Sequence, residues 1–240
     1  MTGIVLQARI DSSRLPGKAL LPLDGKPLVF RVMESLNQIT KDSPALQSKD
    51  FLKILACPDD SLSAFKPLAD EAGFAIFCGS KEDVLERYCA VIRHFSLKRV
   101  IRATGDNPFV FTDAALALFF EAENLNADYA VYSGIPCGSG VEIVSADALL
   151  LASSKNTPHG EATPYEREHV CPYLYNRPDI FRLHRPIAPF NWQGENLRLT
   201  VDTQEDYQRA VKLYSSLNNN TSRYFGETII RQCTQLTKEI

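Results

Sequence analysis

Apolar runs alternate with helix-like segments through the first half of the chain. Five runs have the length and composition of buried strands, at residues 4–6, 51–57, 74–78, 100–103 and 129–132. Four segments carry apolar residues at helical spacing, at residues 28–36, 62–72, 84–95 and 112–123. Because strands that alternate with helices form parallel sheets covered on both faces, the pattern predicts an α/β fold with a doubly wound, mostly parallel sheet.

The pattern is less regular beyond residue 133. It predicts strands at residues 141–144, 181–184 and 197–201, an interrupted helix at 165–176, and helices at 203–217 and 225–236. Capping patterns predict helix starts at Ser80, Ser145 and Thr203. Polar segments at 42–50 and 156–163 are expected to be surface connections. With no repeats, we expect one domain over residues 1–240, with an inserted arm at about residues 133–195.

The composition suits one large α/β domain with a sizeable core, since 45% of the 240 residues are hydrophobic and 23% are charged. A net charge of −3 argues against nucleic acid or an anionic membrane as the main partner. No apolar stretch approaches the length of a membrane span, and we expect no signal peptide. Six cysteines without a Cys-x-x-Cys pair are typical of reduced, buried thiols, so we expect a cytoplasmic protein.

A basic loop at residues 7–18 follows the first predicted strand. Its cations are Arg9, Arg14 and Lys18. Together with two hydroxyls and a Pro-Gly turn they can wrap a polyanion, since guanidinium forks and an ammonium group bind phosphate oxygens. It is not a Walker A loop, because Ser12 and Ala19 replace residues which that motif requires, and no dinucleotide fingerprint is present. On charge alone, a solvated basic loop remains an open interpretation.

Two aspartates follow predicted strands. Asp106 comes after the strand at 100–103, and Asp202 comes after the strand at 197–201 and just before a helix cap. Because ligands of open α/β sheets bind outside the carboxyl ends of strands, both carboxylates are expected beside the basic loop. Two carboxylates with substrate phosphates are what a Mg²⁺ site needs. Each residue also has a structural explanation, in turn chemistry for Asp106 and in the helix dipole for Asp202.

No motif for covalent catalysis is present, since the sequence lacks His-Glu-x-x-His, Gly-x-Ser-x-Gly and Cys-x-x-Cys. Nucleotidyl transfer needs no protein nucleophile, because positioning and charge neutralisation supply most of the rate. The absence of such motifs therefore fits a transferase.

The run Gln-Ala-Arg-x-x-Ser-x-Arg-Leu-Pro-Gly-Lys at residues 7–18 resembles the signature loop of sugar cytidylyltransferases that use CTP. It is most similar to the branch named after the spore coat polysaccharide protein SpsF, which is akin to the enzymes that activate Kdo and sialic acid. Further motifs of that family recur in the expected order: Gly-Ser at 79–80, Thr-Gly-Asp at 104–106, Tyr-Glu-Arg-Glu-His-Val at 165–170 and Val-Asp-Thr-x-Glu-Asp at 201–206. The resemblance covers residues 4 to about 215.

This resemblance implies a Rossmann-like sheet of the nucleotide-diphospho-sugar transferase (GT-A-like) type, with an arm for sugar binding or dimerisation. It implies transfer of CMP from CTP to a small acidic or phosphorylated sugar, with Mg²⁺ as cofactor and a homodimer as the assembly. The implied nucleotide-binding residues are Gln7, Ala8, Arg9, Arg14, Gly17, Lys18, Ser80, Arg87, Thr104 and Gly105. The implied catalytic residues are Arg9, Lys18, Asp106 and Asp202, the two aspartates being the metal ligands. Sugar contact is implied for Glu142, and contact with the sugar or the dimer partner is implied for Tyr165, Glu166, Arg167 and His169.

The chain departs from the family pattern at two positions. Gly140 replaces an Asp in the motif that ends at Glu142, and Thr104 takes the place where the Kdo and sialic acid enzymes carry a Gln. The first departure leaves the identity of the sugar open. A different nucleotidyl donor or acceptor on the same scaffold, as in methylerythritol-phosphate cytidylyltransferase, is one alternative. A nucleotide-binding protein without turnover is another.

Some implied site residues also have ordinary structural interpretations. Ser80 can be a plain helix cap, and Arg87 can be a solvated helix cation. The cluster at residues 165–169 can be a salt-bridged helix face in which His169 is structural.

Overall fold

The computed structural model describes residues 1–41, 51–155, 157, 159–217 and 222–238. The predicted connection at 42–50 lies outside these residues, as do positions 156 and 158 of the predicted loop at 156–163. The strands are β1 (Thr2–Gln7), β2 (Pro22–Leu23), β3 (Lys26–Pro27), β4 (Phe51–Cys57), β5 (Ala75–Cys78), β6 (Arg99–Thr104), β7 (Tyr129–Ala130), β8 (Glu142–Ser145) and β9 (Leu183–His184). The helices are α1 (Leu28–Lys41), α2 (Leu62–Ala72), α3 (Val84–Phe95), α4 (Thr112–Asn124), α5 (Ala146–Ser153), α6 (Pro164–His169), α7 (Pro172–Tyr175), α8 (Gln204–Leu217) and α9 (Gly226–Lys238).

The main sheet has the strand order β5-β4-β1-β6-β8-β7-β9. β1 pairs in parallel with β4 on one side and β6 on the other, and β4 pairs in parallel with β5. β8 runs antiparallel to both β6 and β7, and β9 is parallel to β7. The predicted α/β class and mostly parallel sheet are therefore confirmed. The chain places β4 and β5 on one side of β1 and then places β6 on the other side. The carboxyl ends of β1 and β6 therefore form a switch point of the kind where α/β sheets bind ligands.

Both faces of the sheet are buried, as the unbroken apolar run in β1 predicts. Ile4 and Leu6 pack with residues of α1, α2, α4, α8 and α9 on one face, and Val5 packs with α3, α5 and α7 on the other. None of these three side chains is accessible to solvent. Packing on both faces holds the strands in place, and the loops of the site start at the ends of these strands.

The predicted strand at 197–201 is wrong, since the structure shows no sheet strand in this segment. Its one ladder contact is an isolated bridge between Cys137 and Arg198, supported by a bond from the N–H of Leu199 to the carbonyl of Cys137 at 2.7 Å. The alternation of Leu199 and Val201 with polar residues reflects burial of both side chains in the core, which does not require a sheet. Asp202 therefore follows an extended segment that packs beside the sheet.

Other expectations fail at element boundaries. α3 begins after Asp83, whose carboxylate accepts from the N–H of Glu86 at 2.9 Å, so Ser80 does not cap this helix. The expected caps at Ser145 and Thr203 are confirmed, because each hydroxyl accepts from the N–H three residues later. None of the six cysteines, all within the described residues, forms a disulfide. Cys137 is exposed, which differs from the buried thiols that were expected.

The interruption predicted at 165–176 is confirmed and lies between α6 and α7. Val170 adopts φ 73° and ψ −63°, and the N–H of Cys171 bonds to the carbonyl of His169 at 2.9 Å, which closes a strained γ-turn. The inserted arm at about 133–195 stays a prediction; β8 and β9, within that range, belong to the main sheet. Within the described ranges, no helix combines the length and apolarity needed to cross a membrane.

Candidate active site

A cleft of about 330 Å³ opens at the carboxyl ends of β1 and β6. It brings together the basic loop, the turn after β6, Asp202 and the end of α6. The residues that line it are Gln7, Ala8, Arg9, Asp11, Ser12, Ser13, Arg14, Lys18, Ala19, Val84, Arg87, Arg102, Thr104, Gly105, Asp106, Glu168, His169 and Asp202. Among the residues predicted for the site, six do not line this cleft: Gly17, Ser80, Glu142, Tyr165, Glu166 and Arg167.

The floor of the cleft is a direct contact between the loops that follow β1 and β6. The N–H of Gly105 donates to the carbonyl of Gln7 at 2.8 Å. A methyl group on Gly105 would come within 2.8 Å of the Ala8 side chain, so only glycine allows this approach. The contact explains why Gly105 and Ala8 lie together although their side chains have no chemistry to offer.

Lys18 joins the two predicted metal ligands. Its ammonium donates to Asp106 Oδ2 at 2.9 Å, to Asp202 Oδ1 at 2.9 Å and to the carbonyl of Val201 at 3.0 Å. Gly17, at φ 67°, turns the chain just before Lys18 and so directs it back to the cleft. The structure thus places the two carboxylates, which are 96 residues apart in number, on either side of one cation.

Asp202 is buried and surrounded by cations. Besides Lys18, it accepts from Arg14 at 2.9 Å and from Arg198 at 2.6 Å. Its own N–H donates to Asp206, whose carboxylate also accepts from the N–H of Thr203, completing the cap of α8. Although burial opposes its charge, these two backbone bonds and two neighbouring arginines lower the pKa of Asp206. Asp202 is therefore held by its backbone, which leaves its carboxylate directed into the cleft.

The remaining cations of the cleft differ in how exposed their side chains are and in how many hydrogen bonds they make. Arg9 is exposed and makes no hydrogen bond or ion pair with the described residues, and the side chain of Arg14 is 62% exposed. Arg87 is buried, with Nη1 donating to the carbonyl of Ser80 at 2.7 Å and Nε unpaired within the described chain. Burial lowers the pKa of Arg87. It is therefore a fixed cation of the cleft wall, which excludes the interpretation as a solvated helix residue.

A second cleft of about 370 Å³ adjoins the first and shares Arg102 and Thr104 with it. Its lining residues are Arg102, Ala103, Thr104, Asn107, Val131, Tyr132, Ile135, Pro136, Cys137, Gly138, Gly140, Val141 and Glu142. Glu142 accepts from Arg102 and from the hydroxyl of Tyr129, the latter at 2.6 Å. Burial opposes the charge of Arg102, but the neighbouring carboxylate of Glu142 raises the pKa of Arg102. Glu142 thus faces the second cleft as one half of a partly buried ion pair.

The side chains of α6 make contacts with different parts of the structure. Glu166 and Thr163 form a reciprocal capping box, and Glu166 also accepts from Arg177 at 2.6 Å. Arg167 donates to Asp83, the cap of α3, at 2.6 Å, so it ties α6 to α3. His169 reaches the first cleft, and the exposed ring of Tyr165 lies against it with ring centres 4.3 Å apart. Glu166 and Arg167 line neither cleft, and their predicted contact with sugar stays a prediction.

Sequence reasoning missed several residues that line or support the site. The most informative is Arg102, which lies in a buried strand, where an unpaired charge is rare. A charged residue within an apolar strand pattern can be recognised from the sequence as a candidate site residue. Arg198, four residues before Asp202, gave no signal, because its pairing with Asp202 depends on a bend of the chain at Thr200.

The donor set fits Mg²⁺ only in part. No group of three or more His, Cys, Asp or Glu side chains that could hold a metal occurs in the described part of the chain. Asp106 and Asp202 nevertheless converge on one point, which the Lys18 ammonium marks. Mg²⁺ is commonly held by one or two carboxylates with substrate phosphates and water. The two aspartates therefore suit an ion that arrives with a nucleotide.

The chain is similar to known cytidylyltransferases. A family model described as "Cytidylyltransferase" matches residues 3–231. SpsF of Bacillus subtilis, a spore coat polysaccharide biosynthesis protein, is 32% identical over 88% of this chain and 85% of its own length. The 3-deoxy-manno-octulosonate cytidylyltransferase of Aeromonas hydrophila is 34% identical over 45% of this chain and 41% of its own length.

Solved structures share the fold. A cytidylyltransferase from Leptospira borgpetersenii superposes with a TM-score of 0.80 at 23% identity, over 99% of this chain and 94% of its own. A CMP:2-keto-3-deoxy-manno-octonic acid synthetase complexed with CTP gives a TM-score of 0.65 at 18% identity, over 90% and 98%. With the family model spanning nearly the whole sequence, this chain belongs to the cytidylyltransferase family of nucleotidyltransferases.

Proposed function

We propose that this protein transfers CMP from CTP to an acidic or phosphorylated sugar, with release of pyrophosphate, for surface polysaccharide or glycan biosynthesis. The observation that carries the proposal is the meeting of the basic loop with Asp106 and Asp202 in one cleft through Lys18. A polyanion with a divalent ion is the ligand that such an arrangement of cations and carboxylates can hold.

The basic loop would bind the triphosphate. Arg9 and Arg14 are exposed enough to move onto phosphate oxygens, and Lys18 can reach them from the floor of the cleft. By neutralising the β- and γ-phosphates, these cations would stabilise pyrophosphate as the leaving group. A Mg²⁺ ion held by Asp106 and Asp202 would, when bound, supply Lewis acidity and a template at the phosphates.

The second cleft would hold the sugar. It meets the first cleft at Arg102 and Thr104, so a sugar there lies beside the nucleotide without overlapping it. An oxygen of the sugar would bond to the α-phosphorus as the bond to the β-phosphate oxygen breaks. Pyrophosphate leaves with the electron pair of that bond, and a hydroxyl acceptor loses its proton to solvent. Arg102, held by its ion pair with Glu142, would orient the two substrates at the point where the clefts meet.

The end of α6 lies at the outer side of the first cleft. His169, in the predicted sugar-binding or dimer arm, lines this cleft, and the exposed ring of Tyr165 lies against it. We propose that they contact the sugar or a second copy of the chain, and that the enzyme works as a homodimer.

The proposal is tested by pyrophosphate release. The protein is incubated with Mg²⁺, CTP and a panel of acidic and phosphorylated sugars, and each reaction is repeated with ATP, GTP and UTP. We expect release that requires both CTP and one class of sugar. Asp147→Asn, which changes an exposed carboxylate at the start of α5, serves as a control that should retain full activity. Equal release with all four nucleotides, or release that no sugar stimulates, would contradict the proposal.

A further inference from the structure

The Lys18 ammonium has no spare hydrogen-bonding capacity. It has three protons to donate, and it has three acceptors, Asp106 Oδ2, Asp202 Oδ1 and the carbonyl of Val201, all within 3.0 Å. The side chain is only 16% exposed. Lys18 therefore lies at the point between the two carboxylates to which a shared metal ion would have to bind.

The carboxylate oxygens are also engaged. Asp106 Oδ1 accepts from the Thr104 hydroxyl at 2.7 Å, and Asp202 Oδ2 accepts from Arg198 at 2.6 Å. Arg14 adds a second bond to Asp202 Oδ1. Three cations thus contact two carboxylates. A divalent ion can bind between the two aspartates only by displacing these charge-assisted hydrogen bonds.

We infer that Lys18 takes the place of the divalent ion in the nucleotide-free protein, and that the triphosphate opens the site by drawing Lys18 onto its own oxygens. This inference rests on the proposed function. The chain has the geometry for the exchange, because Lys18 and Arg14 both belong to the basic loop and both line the cleft. When both cations turn to the phosphates, the carboxylates lose two of their three positive partners, and the net charge of the cluster favours a cation.

The exchange makes metal binding conditional on the nucleotide. Without CTP, the two aspartates are neutralised internally and bind a divalent ion weakly. With CTP, the same aspartates become free at the moment when phosphate oxygens become available as further ligands. Lys18 therefore acts as a positioning residue for the order of binding as well as a phosphate ligand.

The test measures Mn²⁺ binding to the nucleotide-free protein by the electron paramagnetic resonance signal of the free ion. Lys18→Met removes the ammonium and keeps the length of the side chain, and Lys18→Gln retains a donor should the methionine variant fail to fold. Since the displaced bonds are charge-assisted, we expect either variant to bind Mn²⁺ about tenfold more tightly than wild type, or better. Arg14→Met is the matched control, because it also removes one positive charge at Asp202 but does not touch Asp106. Lys66→Met removes an exposed lysine that pairs with Asp70 and should change nothing.

The outcomes separate this inference from the proposed function. A gain in Mn²⁺ affinity for the Lys18 variants that clearly exceeds that of Arg14→Met supports the inference. Unchanged affinity in the Lys18 variants, or an equal gain in Arg14→Met, overturns it and leaves the proposed function standing if CTP still promotes Mn²⁺ binding to wild type. If Mn²⁺ does not bind to wild type even with CTP, both the inference and the proposed metal site are overturned.

Discussion

The backbone N–H of Val201 donates to the carbonyl of Asp106 at 2.9 Å. This bond ties the segment before Asp202 to the turn after β6, and it sets the two carboxylates on either side of Lys18. Because the bond is between backbone groups, substitution of either aspartate side chain leaves it in place. The two carboxylates can therefore be changed one at a time without moving the other.

The first prediction concerns nucleotide choice. CTP with Mg²⁺ should raise the melting temperature of the protein more than ATP, GTP or UTP does, because a ligand that binds the native state stabilises it by mass action. Differential scanning fluorimetry at equal nucleotide concentrations measures this. Equal shifts with all four nucleotides would remove the assignment to cytidine.

The second prediction concerns Lys18. Lys18→Ala should weaken CTP binding far more than CMP binding, because the proposed contacts of Lys18 are with the β- and γ-phosphates, which CMP lacks. Isothermal titration with each nucleotide gives both dissociation constants, and Lys66→Ala is the control for loss of a surface lysine. Equal weakening for CTP and CMP would place Lys18 on the nucleoside side of the cleft or in a structural role.

The third prediction compares two residues of α6, His169 and Arg167. His169→Ala should raise the KM for the sugar or weaken the dimer, because His169 is proposed to contact one or the other from its place at the end of α6. Arg167→Ala should lower the melting temperature by removing the tie between α6 and Asp83, with a smaller change in the sugar KM. Steady-state kinetics and sedimentation velocity on both variants make the comparison. If His169→Ala changes neither kinetics nor sedimentation, the cluster at residues 165–169 is a structural face only.

The fourth prediction is a pH dependence of stability at Glu166. Burial opposes its charge, but the bonds from Arg177 and Thr163 outweigh it, so the pKa of Glu166 is lowered from its usual 4.5. The lowered pKa adds stability that is fully present above pH 4.5 and is lost as the pH falls through the folded-state value. Glu166→Gln should therefore cost about 1–2 kcal/mol of unfolding free energy at pH 7 through the loss of the ion pair with Arg177, because a Gln side chain can still accept from the N–H of Thr163.

Urea denaturation of wild type and Glu166→Gln between pH 7 and pH 3 measures the difference in unfolding free energy. The difference between the two proteins should shrink below pH 4.5. A difference that stays constant down to pH 3 would show that the charge of Glu166 does not contribute.

The sequence predicted the parts of the site that depend on local order. The cations of the basic loop and Asp106 follow strands that the apolar pattern identifies, so their position at the sheet edge could be expected. Asp202 was placed correctly beside them for a wrong reason, because the segment before it is extended but lies outside the sheet.

The parts that were missed depend on register between distant segments. Arg102 and Glu142 pair because β6 and β8 run antiparallel with these two residues opposite each other. The pairing depends on that register, because a shift of one residue would place the two side chains on opposite faces of the sheet. The start of α3 was missed because Ser80 and Asp83 both carry capping side chains, and the choice between them depends on the turn at Ser80.

The most direct test of the central claim, that Asp106 and Asp202 act through one metal ion, is a double-mutant cycle on kcat/KM. Asp106→Asn and Asp202→Asn keep the side-chain shape and remove one charge each, with circular dichroism as the folding control and Asp147→Asn as the matched surface variant. Each single variant should lose about a hundred- to ten-thousand-fold in kcat/KM, since metal stabilisation of the transferring phosphoryl group contributes several kcal/mol. The double variant should lose much less than the product of the two single losses, because the second substitution acts on a site already disabled. Near-normal activity in either folded single variant, or losses that simply multiply, would contradict the shared ion.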